Sequence, residues 1–545
     1  MKLVTVPEMR AIEKEADSSG LTYAAMMENA GRGLADEIRV LAYGDGGEED
    51  AHEALGLVGA GNNGGDTLIA LAHLAAAGWR AHAYLLNRKA DSLAERLVSA
   101  GGEIILAESD PKFKRLAELV SHADVVVDGL LGIGLQLPLR PEAAGLLQAV
   151  NDAISDQPWP PYVVAVDCPS GVDSDSGEAA PEAVPASVTV CMAAIKRGLL
   201  RFPAFELVGQ LRVVDIGLTD KQKSWKAIKH FVADADLVED ALPARPADSH
   251  KGTFGTALIA AGSINYTGAA LLAGRAAGRI GAGLVQMAVP GPVHAALAGH
   301  LPEVTWVLLP QELGVIADSA ADVLLKNLER ATALLIGPGL GVEDTTKNFV
   351  ENLLGGKPSA KKSAGRIGFV QAESSQNETA PLSLPPMVVD ADGLRCLAKI
   401  DGWAKRLPTS AVLTPHPGEM AALTGLEKDE IQNDRLGVVL KYAAEWGHVI
   451  VLKGAFTVVA APDGRAALIP VATSALAHAG TGDVLAGLIV GLRAQGVDAY
   501  EAAVAGAWIH AQAGLAAADT LGSDAAVLAG DVLEAIPDVL SGFGM

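Results

Sequence analysis

Short β-branched or apolar runs alternate along this chain with Ala/Leu-rich segments of helical period, the alternation that builds parallel sheets covered by helices. In the first half, Leu55–Val58, Ala81–Leu86, Ile104–Leu106, Val125–Val127 and Val163–Val166 read as strands, with helices over Asp66–Ala77 and Ala90–Ala100 between them. A second series follows at Thr256–Ala261, Leu284–Ala288, Ala333–Ile336, Met387–Val389, Ala411–Leu413 and Val449–Leu452, each ending near Gly, Pro or Asp. Between the two series, Leu237–Pro246 becomes polar and proline-bearing, which reads as a linker. The predicted organisation is an α/β domain over 1–236, a linker over 237–246 and a second α/β domain over 247–545. A Lys/Ser/Gly/Gln/Pro-rich stretch over 355–386 lacks a period and reads as a flexible insertion. No internal repeat relates the halves, so each is expected to do its own chemistry.

Composition narrows the partners. A chain of 545 residues exceeds what one hydrophobic core organises, in keeping with two domains. A formal net charge of -23 offers no electrostatic footprint for a phosphate backbone, so no nucleic-acid partner is expected. The three cysteines, Cys168, Cys191 and Cys396, are too widely spaced for a disulfide framework or a metal knuckle, which suits a reducing cytoplasm. Glu8, Arg10 and Glu13 arrive before an apolar run can form, so no signal peptide is expected. The uncharged stretch Gly252–Gly274 is broken by Ser263, Asn265 and Thr267, and reads as strand, loop and helix rather than a membrane span.

Two glycine-rich loops carry the candidate chemistry. The first, Gly59-Ala-Gly-Asn-Asn-Gly-Gly-Asp66, follows a strand and opens a helix, so free N–H groups can receive phosphate. Its GxGxxG match alone is a weak dinucleotide signal, and the next strand ends Leu85-Leu-Asn-Arg88 without the carboxylate that would hold a ribose. More specific is the density of Asn62, Asn63 and Asp66 at one turn. Downstream, Val127-Asp128-Gly and Val166-Asp167-Cys-Pro-Ser170 run from strand into Asp and a turn, and the carboxyl ends of parallel strands converge. Asp128 and Asp167 also read as simple turn caps, and Cys168 as buried filler rather than a nucleophile.

With Met27-Glu-Asn-Ala-Gly31, these segments resemble the epimerase domain of the bifunctional NAD(P)H-hydrate repair enzymes. The resemblance implies a Rossmann-like α/β/α domain. It implies that Asn62, Asn63, Gly64, Gly65, Asp66, the turn Gly132, Ile133, Gly134, Leu135, Gln136, Leu137 and Pro138, and Asp167 surround the hydrated nucleotide. Asn63, Asp128 and Ser170 would hold a potassium ion, a hard cation suited to oxygen ligands. Asp167 is the candidate acid/base group for interconverting the S and R epimers. Thr67 departs from the glycine usual at its position.

The second loop, Gly480-Thr-Gly-Asp483, also opens a helix, and a carboxylate there can activate a hydroxyl for attack on phosphate. The Walker pattern is absent. Six further motifs accompany it: His250–Gly255, Ala261–Ala270, Gly337–Gly341, Val389–Gly393, Thr414–Glu419 and Leu452–Thr457. Together they resemble the ribokinase-like, ADP- or ATP-dependent NAD(P)H-hydrate dehydratases. The resemblance implies that Ala269, Gly339, His416 and Asp483 contact the hydrated dinucleotide. Lys453, Gly454, Ala455, Phe456, Thr457 and Gly482 would contact the adenine nucleotide, and magnesium would accompany it, with Glu419 organising the shell around the ion. Taken for themselves, His416 also reads as a turn histidine, Lys453 as a solvated strand end, and Asp390 and Asp392 as caps of the next helix. The lead-in Thr473–Gly480 departs from the Asn-Pro-Gly-Met type of many relatives.

The expected protein is a cytoplasmic, homo-oligomeric enzyme acting on hydrated NADH or NADPH with ADP or ATP, and without a membrane or nucleic-acid partner. A ribokinase-like kinase of a vitamin precursor is the alternative, set against by His416-Pro-Gly-Glu419 where such kinases carry an Asn-led motif. A first domain that only binds nucleotide or acts as a scaffold is the third reading.

Overall fold

The computed structural model describes residues 1–43, 52–355 and 384–544, so most of the insertion expected over 355–386 lies outside the described residues. The chain divides into two compact units, Met1–Val232 and Ala233–Met545. The stretch 237–246 read as a linker falls in the second unit and begins inside a helix, Ala235–Glu239, capped by Asp234. No described helix is long and apolar enough to cross a membrane.

In the main sheet of the first unit the strands are β1 (Glu53–Val58), β2 (Arg80–Leu85), β3 (Glu103–Leu106), β4 (Val125–Gly129), β5 (Tyr162–Val166), β6 (Val188–Met192) and β7 (Gln210–Val214), beside a short pair of Leu3–Val4 and Ile195–Lys196. Their order is β3-β2-β1-β4-β5-β6-β7, parallel throughout. The order reverses between β1 and β4, which opens a crevice at their carboxyl ends. Alternation along each strand feeds two cores: Ala54 and Val58 face one, Leu55 and Leu57 the other. Helices therefore cover both faces, giving the expected three layers. β6 and β7 were not among the expected strands.

In the second unit the strands of the main sheet are β8 (Thr256–Ala260), β9 (Leu284–Pro290), β10 (Thr305–Leu309), β11 (Ala333–Ile336), β12 (Met387–Val389), β13 (Val412–Leu413), β14 (Val449–Leu452), β15 (Val458–Ala460) and β16 (Ala466–Leu468). Their order is β16-β15-β14-β13-β12-β11-β8-β9-β10. From β14 to β10 the pairs are parallel, whereas β14, β15 and β16 pair antiparallel and form an edge that helical periodicity does not announce. Ala257 and Ile259 face one core, Leu258 and Ala260 the other, again making three layers.

Candidate active sites

The first site grows from close backbone contact at the end of β1. A Cβ on Gly59 would lie 1.8 Å from the Leu130 carbonyl oxygen, and one on Gly64 would lie 2.1 Å from that of Gly59. Only glycine lets the strand ends and the next helix approach so closely. That helix, α1 (Asn62–Ala76), starts four residues before its expected position, because Asn63 spends its amide on tertiary contacts instead of a turn. Its Nδ2 donates to the Val166 carbonyl at 2.5 Å and the Leu131 carbonyl at 3.3 Å, tying β5 and the turn after β4 to the helix. Gly61, the N-cap, makes no side-chain cap bond, so the first N–H groups face the crevice. Arg88 at the tip of β2 donates to the carbonyls of Gly59 and Gly61 at 3.1 and 3.3 Å. A guanidinium bracing the loop thus stands where a dinucleotide fold carries a ribose-binding acid.

Asp128 and Ser170 meet beneath this loop. The Ser170 N–H donates to Asp128 Oδ2 at 2.7 Å, the Ser170 hydroxyl to Oδ1 at 2.6 Å, and the Leu131 N–H to Ser170 Oγ at 2.8 Å. Asp128 is fully buried, burial pushes its carboxyl up, and among the described residues no cationic side chain pairs with it. Asp167 follows β5 in a left-handed conformation, φ 66°. Its Oδ1 accepts from the Met192 N–H at 2.9 Å and from the buried Lys196 ammonium. Lys196 also donates to the Ala194 carbonyl at 3.0 Å. Burial pulls this ammonium down, but the Asp167 charge and hydrogen bond together with the neighbouring Cys191 and Cys168 leave it raised. Cys168 is buried and pushed up to about 12, an inert thiol.

A cleft of about 920 Å³ opens over the loop, and its walls include Asn62, Asn63, Gly64 and Gly132–Gln136. Gly65, Asp66, Leu137, Pro138 and Asp167 are not among its wall residues. Three residues that sequence reasoning passed over stand beside them. Arg10 and Glu13 line the cleft, and Lys196 pairs with Asp167. Lys196 had a readable signal, since a lysine that closes the largely apolar stretch Val188–Ile195 is a candidate buried cation in need of a partner.

The second site centres on α2 (Thr481–Ala494), whose N-cap Gly480 takes φ 94° and makes no side-chain cap bond. The helix end is therefore an open anion hole. Asp483, in its first turn, is pushed up to about 7, chiefly by burial and then by the Asp390 charge, against the pull of Lys453. Lys453, at the end of β14, bonds Asp390 Oδ1 at 2.6 Å and lies 3.8 Å from Glu419 Oε2. Its ammonium is 3.5 Å from where a Gly482 Cβ would stand, so it reaches the anion hole.

Asp390 corrects the reading of Asp390 and Asp392 as helix caps. The helix Asp392–Leu397 has Ala391 as N-cap and no side-chain cap bond. Asp390, 1% exposed, instead holds Lys453 and accepts from the Thr414 hydroxyl at 2.7 Å, while its Oδ2 has no partner among the described residues. Asp392 Oδ2 accepts from the Gly341 N–H at 3.0 Å, fixing the Gly337–Gly341 loop. His416 does cap a helix, Pro417–Thr424: its Nδ1 accepts from Gly418 N–H at 2.9 Å, while Glu419 Oε2 accepts from His416 N–H at 2.9 Å. With Nδ1 accepting, the ring proton sits on Nε2, 3.3 Å from Glu419 Oε1.

Gly339, at φ 62°, and Ala269 are brought together, since a Cβ on Gly339 would lie 2.9 Å from the Ala269 Cβ. A cavity of about 190 Å³ is walled by Lys453, Gly454, Ala455, Thr457 and Gly482, with His510 as a further wall residue. Phe456 is buried and outside that wall. Burial pulls His510 down to about 4, so its ring is neutral. A second cavity, about 590 Å³, is lined by His416 with Arg395, Lys399 and Lys428.

Residues 257–538 match the family model described as NAD(P)H-hydrate dehydratase, and residues 23–198 match that of the YjeF-related protein N-terminus. The bifunctional NAD(P)H-hydrate repair enzyme Nnr of Moorella thermoacetica is 35% identical over 99% of this chain and 97% of its own. That of Salinibacter ruber is 36% identical over 98% of this chain and 96% of its own. A crystal structure of ADP/ATP-dependent NAD(P)H-hydrate dehydratase from Bacillus subtilis is 31% identical, covering 58% of this chain and all of that one at a TM-score of 0.45. With both halves matched and relatives aligned end to end, the chain belongs to the family of bifunctional NAD(P)H-hydrate repair enzymes.

Proposed function

We propose that this chain repairs hydrated NADH and NADPH, with residues 1–236 interconverting the S and R epimers and residues 247–545 dehydrating the S form at the expense of ADP or ATP. The observation that carries the reading is Asp483, a half-buried carboxyl held near neutrality at an open helix N-terminus beside the Lys453 ammonium. Asp483 takes the proton of the ring hydroxyl while that oxygen bonds the terminal phosphorus and the bond to the leaving nucleotide breaks. The ring nitrogen then pushes out inorganic phosphate, and the neighbouring carbon gives up a proton to restore the double bond. Lys453, Gly454, Ala455, Phe456, Thr457 and Gly482 bind the nucleotide. Ala269, Gly339, His416 and Asp483 face the dinucleotide, whose phosphates suit the cations Arg395, Lys399 and Lys428 beside His416.

In the first unit Asp167 is the acid/base group, and Asn62 to Asp66 with Gly132 to Pro138 hold the substrate. Potassium fits Asn63, Asp128 and Ser170, because a fully buried carboxylate without a cationic partner calls for one. When bound it would balance that charge and fix the loop ends. Magnesium fits the second site, where Asp390, whose Oδ2 has no partner among the described residues, and Glu419 would help hold it, and it would neutralise charge on the phosphates. We place the enzyme in the cytoplasm as a homo-oligomer.

Recovery of NADH absorbance from a mixed S/R hydrate preparation, with magnesium and ADP or ATP, tests the reading. Wild type should convert all of it. Asp483→Asn should convert none, and Asp167→Asn should stop after the S fraction, apart from spontaneous epimerisation measured without enzyme. No recovery with either nucleotide would sink the reading in favour of a small-molecule kinase.

A further inference from the structure

The start of the chain is built into the first site. Leu3 and Val4 pair in parallel with Ile195 and Lys196, so the strand that opens the chain runs beside the lysine that holds Asp167. The helix Val6–Ser18 follows, fixed by a capping box of Thr5 and Glu8 and by the Val6 N–H on Asp175 Oδ1 at 2.8 Å. Met9, Ile12 and Ala16 bury one face of that helix in the core. Glu13, four residues after Met9, stands at the edge of the same face and lines the cleft. One turn earlier, Arg10 lines it too and donates to the Ile133 carbonyl at 3.3 Å, joining the helix to the substrate turn.

Epimerisation of the hydrate inverts a carbon that carries a hydroxyl and is bonded to the ring nitrogen. If the ring opens, the hydroxyl gives up its proton, the carbon–nitrogen bond breaks to leave an aldehyde, and the nitrogen takes a proton. Reclosure on the other face returns both protons. No oxidant or further reactant is required, but one group must accept a proton while another donates one. A single carboxylate does not serve both steps at once.

We propose that Glu13 is the proton donor that partners Asp167 in this epimerisation, a role that rests on the epimerase reading of the first unit. Asp167 carries the direct Lys196 ammonium contact and is the acceptor. Glu13 is pushed up by burial, helped by the Asp167 charge and opposed by Lys196 and Arg10. The other carboxyl in reach is Asp66, which burial, and then the Asp167 and Glu13 charges, push well up. A carboxyl pushed up by burial beside one held by an ammonium is the arrangement that divides acid from base. Glu13 lines the cleft, which puts its carboxyl on the substrate's side of this cluster.

The test is S/R interconversion followed by chromatography without nucleotide, on the full-length protein. Glu13→Gln should lower kcat for epimerisation by roughly 10²-fold or more with KM little changed. Glu13→Asp should recover part of it. Wild-type kcat should fall at high pH as Glu13 loses its proton, and Glu13→Gln should lose that limb. Dehydration of pure S hydrate by the second unit should be unchanged in both variants, and an unchanged unfolding midpoint of the first unit controls for its folding. Epimerisation within twofold of wild type in Glu13→Gln, or an alkaline limb that survives the substitution, overturns the proposal. A wild type that does not epimerise defeats the epimerase reading itself.

Discussion

Each unit sets an aspartate near a lysine, buried in the first and half-buried in the second, and the two lysines make opposite choices. Lys196 bonds Asp167 directly, so the first site holds a closed ion pair out of water. Lys453 bonds Asp390, and Asp483 is left without a side-chain hydrogen bond among the described residues, pushed up to about 7. The same residue types give an anion locked by its partner in one site and a poised proton carrier in the other. Where the ammonium points decides the chemistry, more than which residues are present.

Removing the lysine breaks the comparison most sharply. Lys196→Met should leave Asp167 as an unpaired buried charge and cost about 3–5 kcal/mol, read as a lower urea midpoint at unchanged slope. The double variant Lys196→Met/Asp167→Asn should regain most of that loss, because the pair is then replaced by neutral groups. A double variant no more stable than the single would show that Lys196 acts by packing rather than charge.

In the second unit, removing the acid itself should stabilise. Asp483 has a folded carboxyl raised above its unfolded value, so the stability it lends is complete below the usual carboxylate range and is lost as pH rises to about 7. At pH 8 the ionised group weakens the fold, and Asp483→Asn should relieve this by at most about 4 kcal/mol, seen as a higher Tm with no dehydration. The dehydration rate of wild type should rise with pH along a limb centred near 7, since the base must be ionised. A Tm that falls in Asp483→Asn would mean that the carboxylate is structurally paired, as Asp167 is.

How far the sequence carried differs between the sites for the same physical reason. Asp483, Gly480 and Gly482 lie on one helix turn and Lys453–Thr457 on one strand end, so local spacing exposes them. Glu13 and Arg10 come from a helix remote in sequence and reach the first site through tertiary contacts, the pairing of residues 3–4 with 195–196 and the buried face of Met9, Ile12 and Ala16. His510 reaches the nucleotide cavity from the helix Ala499–Leu521, a neighbour of α2 that no motif marks. The early start of α1 and the Asp390 ion pair were missed because tertiary partners overrode local propensity, Asn63 and Asp390 both being residues that favour turns and caps when left alone.

Potassium sharpens the contrast from the side of ligand binding. At potassium about one hundred times its dissociation constant the first unit should gain about 2.7 kcal/mol, measured as a higher Tm than in lithium, and Asp128→Asn should abolish the gain. The second unit has a protein cation, Lys453, in the corresponding role, so its stability should not respond. Equal gains in wild type and Asp128→Asn would place any bound potassium elsewhere.

Thr67 gives the smallest expected effect and separates scaffold from site. Its hydroxyl donates to the Asn63 carbonyl at 2.7 Å, and two glycines make room for it. A Cβ on Gly129 would lie 1.9 Å from Thr67 Oγ1, and one on Gly56 would lie 2.7 Å from Thr67 Cγ2. Side chain and notches fit one another, so the threonine fills space at the base of the loop without entering the cleft wall. Thr67→Gly should therefore cost about 1–2 kcal/mol, from the freer helix backbone and the emptied notch, with epimerisation unchanged within twofold. A larger loss of epimerisation than of stability would instead assign Thr67 to the site, because the bond it makes holds Asn63, whose amide ties the ends of β4 and β5 to α1.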